Sequence, residues 1–177
     1  MTVIIAGNLV YVVQGTYYVS AHTDATFSTV LGSCISVCLL DPVAGVGGMN
    51  HFLLPAGRGT ESGHIRFGVN AMEKLINEML KAGASKPRLQ AKLFGGARMS
   101  ATLADIGRQN AAFTHSFLAT EGIAIVSESL GGILARRLVF RPHTGQARLL
   151  FVQNDEVVLP EIPAQRPPPP TGSIVMF

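Results

Sequence analysis

The sequence predicts an α+β fold, a layered sandwich of mainly antiparallel sheet with two packed helices. Three observations carry that prediction. Short β-like runs punctuated by glycine and proline occur towards both ends of the chain, and two stretches between them have helical periodicity. The composition is that of a globular protein: 47% of the 177 residues are hydrophobic and only 14% charged. That length suits a single substantial core. One domain is expected over residues 1–155, followed by an extended proline-rich tail over 156–177.

Val10–Val13 and Tyr17–Ser20 are β-like fragments on either side of Gly15. Then comes GSCISVCLLDPVAGVGGMNHF, Gly32 to Phe52, in which two apolar runs, Cys34–Leu40 and Val46–Leu54, flank the turn-like Asp41–Gly45. Folded as a hairpin about Pro42 and Val43, this stretch sets Cys34 opposite His51. After Pro55, AGRGTESGHIRFG reads as a flexible surface loop, with Gly57–Gly63 as a lid or wall beside a nearby site. Met72, Leu75, Ile76, Met79 and Leu80 follow the i, i+3, i+4 pattern of a helix, with Gly83 as its stop. The methionines are core filler.

Leu89–Phe94 reads as a short strand ending at Gly95-Gly96, where the chain needs positive φ or a close backbone approach. A second helix is expected from Asp105, a candidate N-cap, to about Glu121. Ile106, Phe113 and Phe117 form its apolar stripe, and Asn110 shares it. An asparagine facing inward must be hydrogen-bonded: it ties down a neighbouring loop or, as the alternative, touches substrate. Ile123–Val126 and Leu138–Phe140 are strands, the second turning through Pro142–Gly145 into Ala147–Val152. PAQRPPPPTGS can form neither helix nor ladder and is read as extended.

Charge and cysteine usage narrow the function. A formal charge of +3 from scattered residues does not argue for nucleic acid. Arg136, Arg137 and Arg141 form the one local basic cluster, read as the solvated face of a half-exposed strand or a patch for an acidic protein surface. Cys34 and Cys38, four residues apart on a strand, lie roughly 13 Å from each other, beyond disulfide reach, which fits a reducing compartment. The N-terminus has no secretion-signal pattern, and the longest low-polarity run, Val30–Leu40, is about half the ~20 residues that span a bilayer. A cytoplasmic protein, not inserted in membrane, is expected.

In the hairpin reading the Cβ atoms of Cys34 and His51 are roughly 5 Å apart, within reach of a thiolate–imidazolium contact. The small residues Gly32 and Ser33 leave room for a carbonyl and expose N–H groups that can hold an oxyanion. The chemistry implied is acyl transfer through a thioester. Ser28 and Thr29 are the nearby hydroxyls that can orient the histidine, whereas Asp41 lies at the far end of the hairpin. The ordinary alternative is a buried cysteine beside a hydrogen-bonded histidine. Cys34, Cys38 and His51 are too widely spaced for one zinc, and His22, His64, His115 and His143 have no ligand spacing.

The blocks LGSCISVCLLDP and GGMNHFLLP, then AMEKLINEML, KLFGGARM, IGRQN and SLGGILARRLVFRPHTG, resemble in order and spacing the CheD family of chemoreceptor glutamine deamidases. The resemblance covers about residues 8–152. It implies hydrolysis of glutamine side-chain amides on chemoreceptor cytoplasmic helices, with Cys34 as nucleophile and His51 as general base. A catalytic hydroxyl before the cysteine matches either Ser28 or Thr29. No metal or organic cofactor is implied, and a CheC-type phosphatase is an implied partner. IGRQN departs from the more usual IG-x-RN by a one-residue shift of the arginine. The rival reading is a docking module that modulates such a phosphatase without catalysis. Transglutamination, in which an amine resolves the same acyl-enzyme, is a second enzymatic alternative.

Overall fold

Asp41 organises the first hairpin. Its carboxylate accepts the N–H groups of Val43 and Ala44 at 3.0 and 3.1 Å, so the turn takes up the four residues Pro42–Gly45. The same carboxylate receives the Ser85 N–H at 2.8 Å and the Arg88 guanidinium at 2.8 Å, tying the turn to a short 3₁₀ segment, Lys86–Arg88.

The structure, a computed structural model, describes residues 4–6, 8–54, 61–99 and 104–152. Among these, the strands are β1 (Ile4–Ala6), β2 (Leu9–Tyr11), β3 (Thr16–Ser20), β4 (Thr26–Leu31), β5 (Ile35–Asp41), β6 (Val46–His51), β7 (Gln90–Gly95), β8 (Ala124–Leu130), β9 (Ala135–Arg141) and β10 (Gln146–Val152). The helices are α1 (Glu61–Lys81) and α2 (Ala104–Glu121). One sheet has the order β1-β2-β4-β9-β10 and the other β3-β6-β5-β7-β8. Pairing is antiparallel except for β2–β4 and β7–β8. This is the expected α+β sandwich.

The strand β5, ISVCLLD, is buried along its whole length because it is covered on both faces. Ile35, Val37 and Leu39 pack with Met72, Leu75, Met79 and Leu118 of the helices. Cys38 points the other way, into a second core with Phe27, Leu31, Met49, Leu138 and Phe140 between the sheets. The layers are therefore sheet, sheet, helices. Neither described helix is long and apolar enough to cross a membrane.

The structure changes four details of the sequence reading. Cys38 pairs with Met49, and the Ile35–Phe52 bridge keeps that offset, so Ser36 rather than Cys34 lies across from His51. The expected register fails because the Asp41-capped turn is longer than a turn centred on Pro42 and Val43. Glu61–Gly68, read as loop, belongs to α1; residues 57–60 of the expected lid and the proline-rich tail lie outside the described residues. Gly68 disguises that helical turn, yet a Cβ there would stand 2.5 Å from the Phe113 ring of α2. Helix α2 starts at Ala104, one residue before the expected cap Asp105. Arg136 is buried at 1% exposure instead of sharing the solvated face with Arg141. Its guanidinium donates to the carbonyls of Ser129 and Gly131 and lies over the Phe151 ring, 5.3 Å from the centroid.

Candidate active site

Residues Gly32–Cys34 bend between β4 and β5, and each of their carbonyls is held. Gly32 O accepts the Ala97 N–H at 2.8 Å, Ser33 O accepts Asn110 Nδ2–H at 2.9 Å, and Cys34 O accepts the Gly96 N–H at 2.8 Å. The Gly95-Gly96 pair permits this. Gly95 has φ 115°, and a Cβ on it would stand 2.1 Å from Cys34 O. Beneath, α2 comes close enough that a Cβ on Gly107 would lie 2.4 Å from Gly96 O. The next turn of that helix presents Asn110, fully buried, whose Oδ1 accepts the Leu54 N–H at 2.8 Å.

The Cys34 thiol is half-buried, with Sγ 3.9 Å from Gln14 Oε1. Burial pushes the thiol above its ordinary pKa, and the N–H groups of Gly32 and Cys34 itself partly oppose that by favouring the thiolate. The balance leaves a neutral thiol at rest.

His51 ends β6 on the face turned towards the other sheet, as does Met49 two residues before it. Across the intersheet space, Thr29 Oγ1 of β4 lies 2.8 Å from His51 Nδ1. The Val12 carbonyl lies 3.3 Å from the same nitrogen. A carbonyl can only accept, so these partners assign the proton to Nδ1 and leave the lone pair on Nε2. Nε2 is buried and has no partner among the described residues. Burial pushes the imidazole below its ordinary pKa, with the Val12 carbonyl partly opposing. The histidine thus rests neutral, with an Nε2 lone pair able to accept a proton.

Of the residues singled out in the sequence, the fold joins Thr29 to His51. Phe27, Leu31 and hence Thr29 face the second sheet, while Ser28, adjacent on the strand, faces the opposite side. Cys34 and His51 are not cross-strand partners, but both reach the Val12–Gly15 segment: Cys34 through Gln14, and His51 through Val12 O and through its own carbonyl, which accepts the Gly15 N–H at 2.7 Å. Cys38 sits in the intersheet core at 1% exposure, and burial pushes its thiol up too, so it is a packing residue. His115 pairs with Glu128 at 3.0 Å and His143 contacts Gly45 O at 3.1 Å, both on other parts of the fold. Sequence reasoning missed Val12 and Gln14, since a backbone carbonyl and an exposed amide leave no pattern. Asn110, noticed as an inward polar residue, ties down the loop that carries the cysteine.

A family model described as CheD chemotactic sensory transduction matches residues 53–150, a segment that starts just beyond His51. Relatives extend the likeness over nearly the whole chain. A protein of Cereibacter sphaeroides (strain ATCC 17029 / ATH 2.4.9), named probable chemoreceptor glutamine deamidase CheD, is 46% identical over 170 residues, covering 96% of this chain and 85% of that one. Proteins of the same name from Caulobacter vibrioides (strain NA1000 / CB15N) and Rhizobium leguminosarum bv. trifolii (strain WSM2304) are each 48% identical, covering 93% and 97% of this chain and 88% and 97% of their own. Among solved structures, a Bacillus licheniformis hypothetical protein, YfiH, aligns at TM-score 0.43 with 13% identity, over 64% of this chain and 49% of that one, a likeness too loose to bear on function.

Proposed function

The chain belongs to the CheD family, and from that premise we propose that it hydrolyses selected glutamine side-chain amides of chemoreceptors to glutamate through a thioester on Cys34. The observation that carries the reading is the buried Thr29–His51 hydrogen bond, which leaves a free Nε2 lone pair on a histidine that touches the same Val12–Gly15 segment as Cys34.

Because burial disfavours both charged forms, the pair rests as thiol and imidazole and the proton moves on attack. His51 Nε2 takes the Cys34 proton as Sγ bonds to the carboxamide carbon. The carbonyl oxygen becomes an oxyanion held by backbone N–H groups of the Gly32–Cys34 bend. His51 then protonates the amide nitrogen, the C–N bond breaks, and ammonia leaves. Water, deprotonated by His51, attacks the thioester; the C–S bond breaks, glutamate is released, and the thiol regains its proton. Thr29 holds the imidazole as its charge appears and disappears. Every step uses groups of this chain and water.

The substrate class is an exposed glutamine on a receptor's cytoplasmic helices, and the enzyme acts in the cytoplasm. A CheC-type phosphatase is the proposed regulatory partner. The test is mass spectrometry of a receptor cytoplasmic fragment after incubation with the protein or with Cys34→Ala. A gain of about one mass unit per modified glutamine, absent with the variant, supports a covalent thiol mechanism. No gain on several receptors, alongside a measurable complex with receptor or phosphatase, would replace the enzyme by a docking module.

A further inference from the structure

We infer that Asn110 is a positioning residue for acyl transfer: by holding the Ser33 carbonyl from the helix side, it aims the Cys34 N–H at the oxyanion. This deepens the reading of Cys34 as an acyl-transfer nucleophile and rests on it.

The two ends of the Asn110 side chain meet unlike partners. Leu54 N–H requires an acceptor and Ser33 O requires a donor, so only one orientation of the amide satisfies both, at 2.8 and 2.9 Å. A shorter side chain does not span these partners, and a carboxylate has no donor for Ser33. A trans peptide is planar, with its C=O and N–H pointing in opposite directions. Drawing the Ser33 carbonyl towards α2 therefore turns the Cys34 N–H away from α2. The thiol lies on that same side: Ile35, the next residue, packs against the helices, so the Cys34 side chain turns the other way, towards Gln14, and this N–H and that of Gly32 favour its thiolate. A donor there is close to the carbon under attack and to the oxygen that gains charge.

The bend has no freedom to supply this orientation without Asn110. The carbonyls on either side of Ser33 are already fixed by Ala97 and Gly96, and Gly96 is in turn braced by Gly107, one helical turn before Asn110. The middle peptide is the one left for a side chain to set. Leu54 lies three residues beyond His51, so one amide registers the nucleophile's bend against the strand of the base. Two positions of IGRQN, Gly107 and Asn110, thereby have a structural role, whereas Arg108 is exposed.

The test compares two electrophiles at Cys34. With p-nitrophenyl acetate, the thiol proton passes to His51, the S–C bond forms, the carbonyl oxygen takes the negative charge, and p-nitrophenolate leaves. With iodoacetamide, sulfur displaces iodide at a saturated carbon and no oxyanion forms. The ratio of the two rates, each corrected with Cys34→Ala, isolates the oxyanion contribution from thiol reactivity. For Asn110→Ala the ratio should fall at least about tenfold, since loss of one oxyanion donor typically removes a factor of about 10²–10³. Asn110→Asp should keep the wild-type ratio at a pH where its carboxyl is protonated and donates to Ser33 O, and lose it where the carboxyl ionises. An unchanged ratio in Asn110→Ala, a parallel fall of both rates, failure of the carboxylic acid to restore the ratio, or unfolding of both variants by circular dichroism would each overturn the inference. Receptor deamidation is followed in the same wild-type sample. If that is absent while the ratio behaves as expected, the substrate assignment fails and the role of Asn110 stands.

Discussion

Thr29→Val removes one hydroxyl and keeps the shape of the side chain, so it isolates the hydrogen bond to His51. Thr29 is buried, and its Oγ1 sits 2.8 Å from Nδ1, whereas the Val12 carbonyl that would remain is at 3.3 Å. A hydrogen bond from the neutral ring contributes about 0.5–1.5 kcal/mol, and one from imidazolium about 1.5–3 kcal/mol. In the proposed mechanism the catalytic step depends on the difference, about 1–1.5 kcal/mol, because the ring gains its charge only as the thiol is deprotonated. That difference corresponds to a loss of about 5- to 12-fold in kcat. KM should change less than about twofold, since substrate contacts are untouched. The assay is ammonia release from a receptor cytoplasmic fragment, run beside Thr29→Ser, which restores the hydroxyl and should recover most of the rate. A Thr29→Val enzyme at the wild-type rate would refute the reasoning. So would a Ser28→Ala enzyme slowed by the same factor, since Ser28 faces away from the imidazole.

Three further outcomes are expected. Burial disfavours the charge on both Cys34 and His51, so iodoacetamide labelling of the free enzyme should rise about tenfold per pH unit across neutrality, without the acid plateau of a preformed thiolate–imidazolium pair. The Arg88 guanidinium, with the N–H groups of Ser85, Ala44 and Val43, holds the Asp41 carboxyl well below the usual carboxylate range. A depressed folded-state pKa contributes stability that is complete above the unfolded value and lost as pH falls through the folded one; urea midpoints should therefore hold near neutrality and decline below about pH 4. Asp41→Asn should weaken that acid limb and lower stability near neutrality by about 2 kcal/mol, since Arg88 is partly exposed and solvent screens its side of the pair. Gly107→Ala places a methyl 2.4 Å from Gly96 O, so α2 and the segment that braces the Gly32–Cys34 bend must part. Thermal unfolding should report a loss of about 1–3 kcal/mol, and acylation of Cys34 should slow with it.

Periodicity and residue chemistry were readable without coordinates wherever a local pattern meets a local requirement. The Met72–Met79 stripe spells one buried helical face, and the apolar run of β5 announces one arm of a hairpin. Cys34 and His51 stood out because a thiol after two small residues and a histidine beyond a turn are uncommon in otherwise apolar strands. The first two turns of α1, Glu61–Gly68, were hidden because Gly68 at their end answers to Phe113 on another helix rather than to the helix it belongs to.

The amino-acid order by itself determined most of the elements, the thiol and imidazole to consider, and a pair of adjacent hydroxyls, Ser28 and Thr29, as candidates to orient the imidazole. Strand alternation guarantees that Ser28 and Thr29 face opposite ways, but it cannot say which side holds the histidine. That was decided when β4 entered one sheet and β6 the other, leaving Thr29 and His51 facing each other across the space between them. The same packing turned Arg136 inward and Arg141 outward, and brought Asn110 beneath Ser33 across a separation of 77 residues. Local sequence carries direction along a strand or helix. Which surface a direction meets depends on the other layers, and those are assembled only by burial of the whole chain.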